Sequence, residues 1–258
     1  MSYTLLSDGK TNHKIKKNIK ENYNTYSLNF AHSDLSGFNV CPKANKLTEQ
    51  EQNKKKSNCS QCCVGFNGFA SIYESVMESR IKKTLSYFLD KDSFYESLIF
   101  EIKKAIKESE KLGLKPSFRL NAYSDIRHEN NTIKDNKNIF DLFPNVDFYD
   151  YTKLLNRKIP KNYQLTYSHH KADFKATSEA LLNGMNVAIV FEKLPKMINI
   201  KGIEYTVING DETDLRIDEK LNGKPVVVGL KFKGSKKKLE NAMLEGFAIG
   251  KNNTSLTY

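Results

Sequence analysis

The sequence predicts an α/β protein: six strands in a parallel sheet forming a partial barrel, with an extra hairpin arm. Three observations predict it. Short β-favouring runs recur along the chain, helical spacing separates several of them, and 258 residues suit one α/β unit. With no internal repeat and no low-complexity linker, a single domain over residues 1–258 is expected, carrying a cysteine-bearing loop at about residues 31–70.

Residues 24–30 (NTYSLNF) alternate and carry β-favouring side chains, which predicts the first strand. A polar stretch with a lysine run at Lys54–Lys56 follows as a long surface loop. Ile72, Val76, Ile81, Leu85 and Phe88 recur at helical spacing and predict a helix over 72–88. Ser93 and Glu96 form a capping-box pattern ahead of Leu98, Ile99, Ile102 and Ile106, and Gly113 stops that second helix. Beyond Pro116, strands are predicted at 118–123, 146–151, 163–167, 186–191 and 225–230. A helix over 173–182 ends ahead of Gly184, and residues 200–208 read as the hairpin arm.

Lys and Arg number 41 against 30 acidic residues, a net charge of +11. Such an excess favours a polyanionic partner such as nucleic acid, although a lysine-rich composition alone produces the same balance. The N-terminal residues lack the apolar run of a signal peptide, and no window approaches a membrane span, so a cytoplasmic protein without a membrane partner is expected. Thiols in that compartment stay reduced, and clustered cysteines then read as ligands or redox groups.

Several predicted strands end in polar or titratable residues: RLNAYSDIRHE, FYDYTK, LTYSHHKAD and VFEK. In parallel α/β folds the loops at the carboxyl ends of strands build the site. That rule gathers Ser124, Asp125, Arg127, Lys153, Ser168, His169, Glu192 and Lys193 at one rim. Asp125, Lys153 and His169 are the candidate catalytic groups, and Ser124, Arg127, Ser168 and Glu192 are candidates for binding a cofactor. His169 and His170 point to opposite faces of a strand end, so one of the pair at most enters the site. Asp211, Asp214 and Arg216, in GDETDLRIDE, are further binding candidates; the same block also reads as a tight acidic turn neutralised by Arg216.

All four cysteines, Cys41, Cys59, Cys62 and Cys63, fall within 23 residues of a polar, Asn- and Lys-rich segment. A polar loop can bring three or four thiolates to one point, where a soft metal or a cluster holds them. Their spacing leaves an iron–sulfur cluster, a zinc ion and plain thiols open.

The order GKTNHKIKKN, TYSLNF, NVCP and a cysteine group ending in VGFNG resembles the phage gene product 88 family. The later segments RLNAYSD, FYDYTK, LTYSHH, GDETDLR and VVVGLKFKG resemble it too, so the likeness spans nearly the whole chain. Such sequences carry an N-terminal cysteine motif resembling that of radical S-adenosylmethionine enzymes. The resemblance implies a 4Fe-4S cluster on Cys41, Cys59 and Cys63, with Cys62 between the motif cysteines, and a TIM-like or radical-enzyme-like partial barrel. It also implies S-adenosylmethionine as a cofactor, with Asp125 or Lys153 contacting its polar groups. Two alternatives of other classes stand beside it: a nucleic-acid-binding or -processing phage protein with a structural zinc, and a host-interaction protein without catalysis.

Overall fold

A computed structural model describes residues 4–9, 13–43, 63 and 73–257, with the side chains of His13 and Lys14 left out. Ile72, Cys59, Cys62 and the lysine run at Lys54 lie outside the described residues.

The fold is mixed α/β, built on one eleven-stranded sheet that does not close. Seven strands run parallel in the order β2 (Tyr23–Leu28), β3 (Lys115–Arg119), β4 (Asp147–Thr152), β5 (Tyr163–Ser168), β6 (Val187–Phe191), β9 (Val227–Lys231) and β8 (Ile203–Asn209). β1 (Leu6–Asp8) adds antiparallel at the β2 edge. At the other edge β7 (Met197–Ile200) pairs antiparallel with β8, and β11 (Ser255–Leu256) pairs with β7. β10 (Ala248–Ile249) lies beside β6. All six expected parallel strands are present, within a few residues of their expected bounds.

The hairpin arm needs correcting. β7 and β8 do form a hairpin, turned at Lys201 and Gly202, both with positive φ. But β8 is seven residues long, and only its first half pairs with β7; Val207, Ile208 and Asn209 pair with β9 and join the main parallel run. A seventh parallel strand results.

Helices are few. α2 (Glu74–Leu89) and α3 (Lys91–Lys111) cover the β2–β5 half, and α4 (Phe174–Leu182) covers β6 and β9. Two short helices, α1 (His13–Lys16) and α5 (Lys236–Leu244), sit at the two ends of the chain. The N-cap of α3 is Asp90, whose carboxylate accepts from Ser93 N at 3.2 Å, rather than Ser93 itself. Gly113 stops the helix at φ +67°, a conformation that costs other residues a clash with Cβ. The face that α2 buries is also rotated from the expected apolar stripe. Arg80, Lys83, Thr84 and Tyr87 are buried, while Ile81, Leu85 and Phe88 are only half-buried. Polar partners account for two of these: Thr84 Oγ1 accepts from Ala31 N, and the Arg80 guanidinium stacks on the Tyr123 ring at 4.1 Å.

Register assigns the two faces of the sheet. Tyr26, Phe118 and Phe148 share one face, and with Leu98 and Ile102 of α3 they form a fully buried aromatic core. Thr25, Ser117, Arg119, Tyr149 and Tyr151 share the other. That face turns polar along β2–β5, then apolar where Ala188, Val190, Val228 and Leu230 continue it across β6 and β9.

Candidate functional site

The second face of the sheet encloses a cavity of about 770 Å³, lined at the carboxyl ends of β2 to β9. Its floor is a charged network. Arg119, at the end of β3, donates to Asp214 Oδ2 at 2.5 Å and lies 5.3 Å from the Tyr151 ring. Burial acts to lower the pKa of Arg119, but Asp214 and Asp150 outweigh it and hold the guanidinium charged. Asp150, buried on the opposite face, accepts from Leu120 N, Asn121 N and the Tyr163 hydroxyl, and so fixes the turn that follows β3.

The N-terminal segment bridges the cavity between β2 and the loop after β8. Asn18 Oδ1 accepts from Thr213 Oγ1 at 2.8 Å and Asp214 N at 3.0 Å, and its amide donates to Thr25 Oγ1 and the Tyr149 hydroxyl. Lys17 Nζ donates to Asp211 O at 2.6 Å.

A smaller pocket of about 130 Å³ adjoins the cavity. Cys41 and Cys63 both line it, together with Asn121 to Asp125, Lys43 and Lys153. Cys63, Ala122, Tyr123, Tyr151 and Ser168 line both spaces, so the two share a wall. Cys41 is placed from two sides: its N–H donates to Asn39 Oδ1, and its thiol lies 3.6 Å from Tyr123 O. Tyr123 is in turn held under Arg80.

The sequence candidates divide among several places. Ser124, Asp125, Lys153 and Ser168 line the small pocket. Ser168, His169, Asp211 and Asp214 line the large cavity. Arg127 is exposed and lines neither, and Glu192 faces the chain's C-terminal segment, where its carboxylate accepts from Lys251 N at 3.0 Å. Arg216 lies behind the cavity wall. It donates to Gly210 O, Thr213 O, Leu215 O, the Tyr151 hydroxyl and Glu219, knitting the 210–219 loop into one unit. Cys59 and Cys62 lie outside the described residues, and among those described no group of three His, Cys, Asp or Glu side chains is spaced to hold a metal ion.

Chemical capacity differs among the three candidate catalytic groups. Asp125 has both oxygens occupied, by Thr152 Oγ1 at 2.7 Å, Lys153 N at 2.8 Å and Arg157 Nη1 at 3.1 Å. Burial pushes its pKa up, against those three partners. Arg157 also grips Glu129 through two bonds, so Asp125 belongs to a clamp joining the loop after β3 to the end of β4. Lys153 Nζ donates to Ser168 O at 2.9 Å and marks the pocket edge with positive charge. His169 is held by Thr177 Oγ1 at 2.8 Å, and its pKa is pushed down to about 3 by burial, with Lys153 and His170 adding to the effect. It is a neutral imidazole at pH 7.

Sequence reasoning missed Arg119, Tyr151 and Arg157. For the first two a signal existed: in SFRLN and DFYDYT the bulky residues alternate, which places Arg119, Tyr149 and Tyr151 on one face.

Among the described residues no helix is long and apolar enough to cross a membrane. Comparison with curated proteins and with solved structures returned no match. The family model described as gene product 88 matches residues 4–244, nearly the whole chain. The chain therefore belongs to the phage gene product 88 family.

Proposed function

We propose that this protein binds a 4Fe-4S cluster through Cys41, Cys59 and Cys63, with Cys62 as the adjacent thiol, and acts as an enzyme of the radical S-adenosylmethionine type. In this reading the parallel run from β2 to β8 is an opened partial barrel, and its cavity receives S-adenosylmethionine and a substrate. One observation carries it. Cys41 and Cys63, which are 22 positions apart, line a single small pocket that shares its wall with a cavity of about 770 Å³. A ligand-sized space beside clustered thiols, at the carboxyl ends of parallel strands, is where such folds place their chemistry.

The residues around the cysteines fit the group. A three-thiolate cluster carries net negative charge, and Lys43 and Lys153 line this pocket while Arg80 stacks against its Tyr123 wall. When bound, the cluster would supply an iron without a protein ligand and an electron for cleaving the sulfonium cofactor. The chain's own residues orient and enclose. Ser124, Ser168 and Lys153 offer polar contacts at the pocket, Asp125 holds the loop that carries Tyr123 and Ser124, and His169, its neutral ring bonded to Thr177 of α4, ties that helix to the end of β5 beside the cavity.

Anaerobic purification followed by iron and sulfide analysis tests the reading. About four irons per chain and a broad absorption near roughly 400 nm are expected, both lost in C41A and in C63A. About one zinc per chain would replace the cluster with a structural ion. That outcome would favour the second reading, a nucleic-acid-binding protein, for which the net charge of +11 is the supporting observation. Colourless, metal-free protein would sink both metal readings.

A further inference from the structure

The chemistry of the large cavity is lopsided in a way that neither the cysteines nor the family explains. Five of its lining side chains are cationic and three are carboxylates. Two of the cations are already matched, Arg119 by Asp214 and Lys233 by Asp211. Lys17 donates to a carbonyl of the same loop. Lys231 and Lys238 have no ion-pair partner among the described residues, and both stand exposed at the rim. Glu245 is the third carboxylate and lies on this same side, so a net positive charge is still left over there.

That side is built by α5, whose positions 238, 241 and 242 line the cavity, as does Glu245 at its C-terminal cap. Lys238 lies in its first turn; its own N–H is capped by the Ser235 hydroxyl, and the helix start adds partial positive charge beside its side chain. The wall between this rim and the floor is apolar: Val190, Leu230, Phe232 and Phe247. At the far side, the end of β2 brings Ser27 and Asn29 to the lining. Ser27 is 1% exposed, and neither its hydroxyl nor Asn29 Oδ1 has a hydrogen-bond partner among the described residues. A buried hydroxyl without a partner is destabilising, and one at a cavity wall marks where a polar ligand atom fits.

We infer that this cavity binds a phosphorylated, nucleotide-sized small molecule. Its phosphates lie at Lys231, Lys238 and the first turn of α5, its uncharged part lies along the apolar wall, and its polar edge meets Ser27 and Asn29. The volume suits a ligand of that size. Isolated lysines at a helix start recognise phosphate as point charges, without the bidentate geometry a carboxylate takes from arginine. The inference rests on the reading of this cavity as the ligand site, but not on the cluster.

Calorimetric titration of the full chain tests it, with the four common ribonucleoside triphosphates, adenosine, and a single-stranded twelve-nucleotide DNA as probes. At least one triphosphate should bind about tenfold or more tighter than adenosine. The double variant K231A/K238A should weaken that triphosphate about tenfold and leave adenosine unchanged. A charge-matched control, K103A/K104A on the exposed face of α3, should alter neither. Failure of all four triphosphates to bind overturns the inference. So does equal loss in the control, or DNA binding tighter than every mononucleotide. Repeating the titration on C41A/C63A separates the two proposals. Retained triphosphate binding without iron supports this site, and binding lost along with iron overturns it while leaving the cluster reading intact. Iron-free wild type that still binds a triphosphate removes the cluster reading alone.

Discussion

The two halves of the sheet solve the same packing problem differently. Across β2–β5, the helix-covered face is aromatic: Tyr26, Phe118, Phe148 and Tyr163 pack with Phe94 and Tyr95 of α3. The opposite face of the same strands is polar and networked, from Thr25 and Ser117 to Arg119 and Tyr151. Across β6 and β9 both faces are largely aliphatic, with Val187, Ile189 and Val227 toward α4 and Val190 and Leu230 toward the cavity. A parallel sheet covered on both faces buries both sides of its strands, so an apolar run is their default sequence. The departure in β2–β5 therefore locates chemistry. One half supplies the polar groups of the site, and the other supplies a dry wall.

Breaking the aromatic side of that comparison should have the largest effect. Phe118 is fully buried and stacks against Tyr26 and Phe148, so F118A should cost about 4 kcal/mol of unfolding free energy. Val227, its counterpart under α4, should lose roughly half as much on truncation to alanine. Chemical denaturation of both variants measures the ratio, and equal costs would contradict a distinction between the halves.

Next comes the polar face. D214A removes the nearer counter-charge of Arg119, whose side chain is 9% exposed, and should cost about 3 kcal/mol by leaving that buried guanidinium with Asp150 alone, 3.9 Å away. Removing both charges in R119M/D214L should restore part of the loss, since the uncompensated guanidinium is gone while buried Asp150 loses its cation. A double-mutant cycle that shows simple additivity would mean the pair is not coupled.

These residues also show how much the sequence disclosed. The strands were legible because alternation and β-branched runs survive in each, and so were α2, α3 and α4 from apolar spacing. What escaped is tertiary in origin. β8 looked like an arm because its pairing with β9 depends on a strand twenty residues later in the chain. α2 looked as if it would bury Ile81 and Leu85, yet Arg80 is drawn inward by Tyr123, a partner on another element. Of the site, the strand-end rule found Ser124, Lys153, Ser168 and His169, which do line the cavities. The rule had no means of separating them from Arg127 and Glu192, because it counts position along a strand and not the direction of a loop. It also missed Arg119 and Tyr151, which lie within strands rather than after them.

The histidines sharpen the comparison through pH. His32, His128, His169 and His170 all lie in or directly after the β2–β5 half, and burial lowers their pKa values to about 4, 3, 3 and 4. Each folded value is below the unfolded one near 6.5, so the unfolded chain binds protons first as pH falls. The stability they permit is complete above about pH 6.5 and declines as pH falls toward 3–4, by roughly 1 kcal/mol per pH unit for each histidine. Hydrogen exchange at pH 5 should rise in β2–β5 before β6 and β9. H169Q, which keeps a partner for Thr177, should lessen the loss by about 1 kcal/mol at pH 5.5. Uniform exchange across the sheet would show that these rings do not set the acid limit.

The smallest effect has the opposite sign and says the most about why the polar face exists. Ser27 sits where β2 meets the cavity, its neighbours Thr25 and Ser117 hydrogen-bonded to each other at 2.7 Å and its own hydroxyl without a partner among the described residues. A packing role would be met as well by alanine, which drops the unmatched oxygen and should stabilise the fold by about 0.5 kcal/mol. If the hydroxyl is kept for a ligand, that gain comes with weaker binding of the cavity's occupant, the exchange expected at a functional position. Melting curves of S27A with and without the best-bound triphosphate measure both quantities. A higher melting temperature in the free protein with a smaller ligand-induced shift assigns Ser27 to recognition, whereas a lower temperature without ligand assigns it to the polar network of its own face.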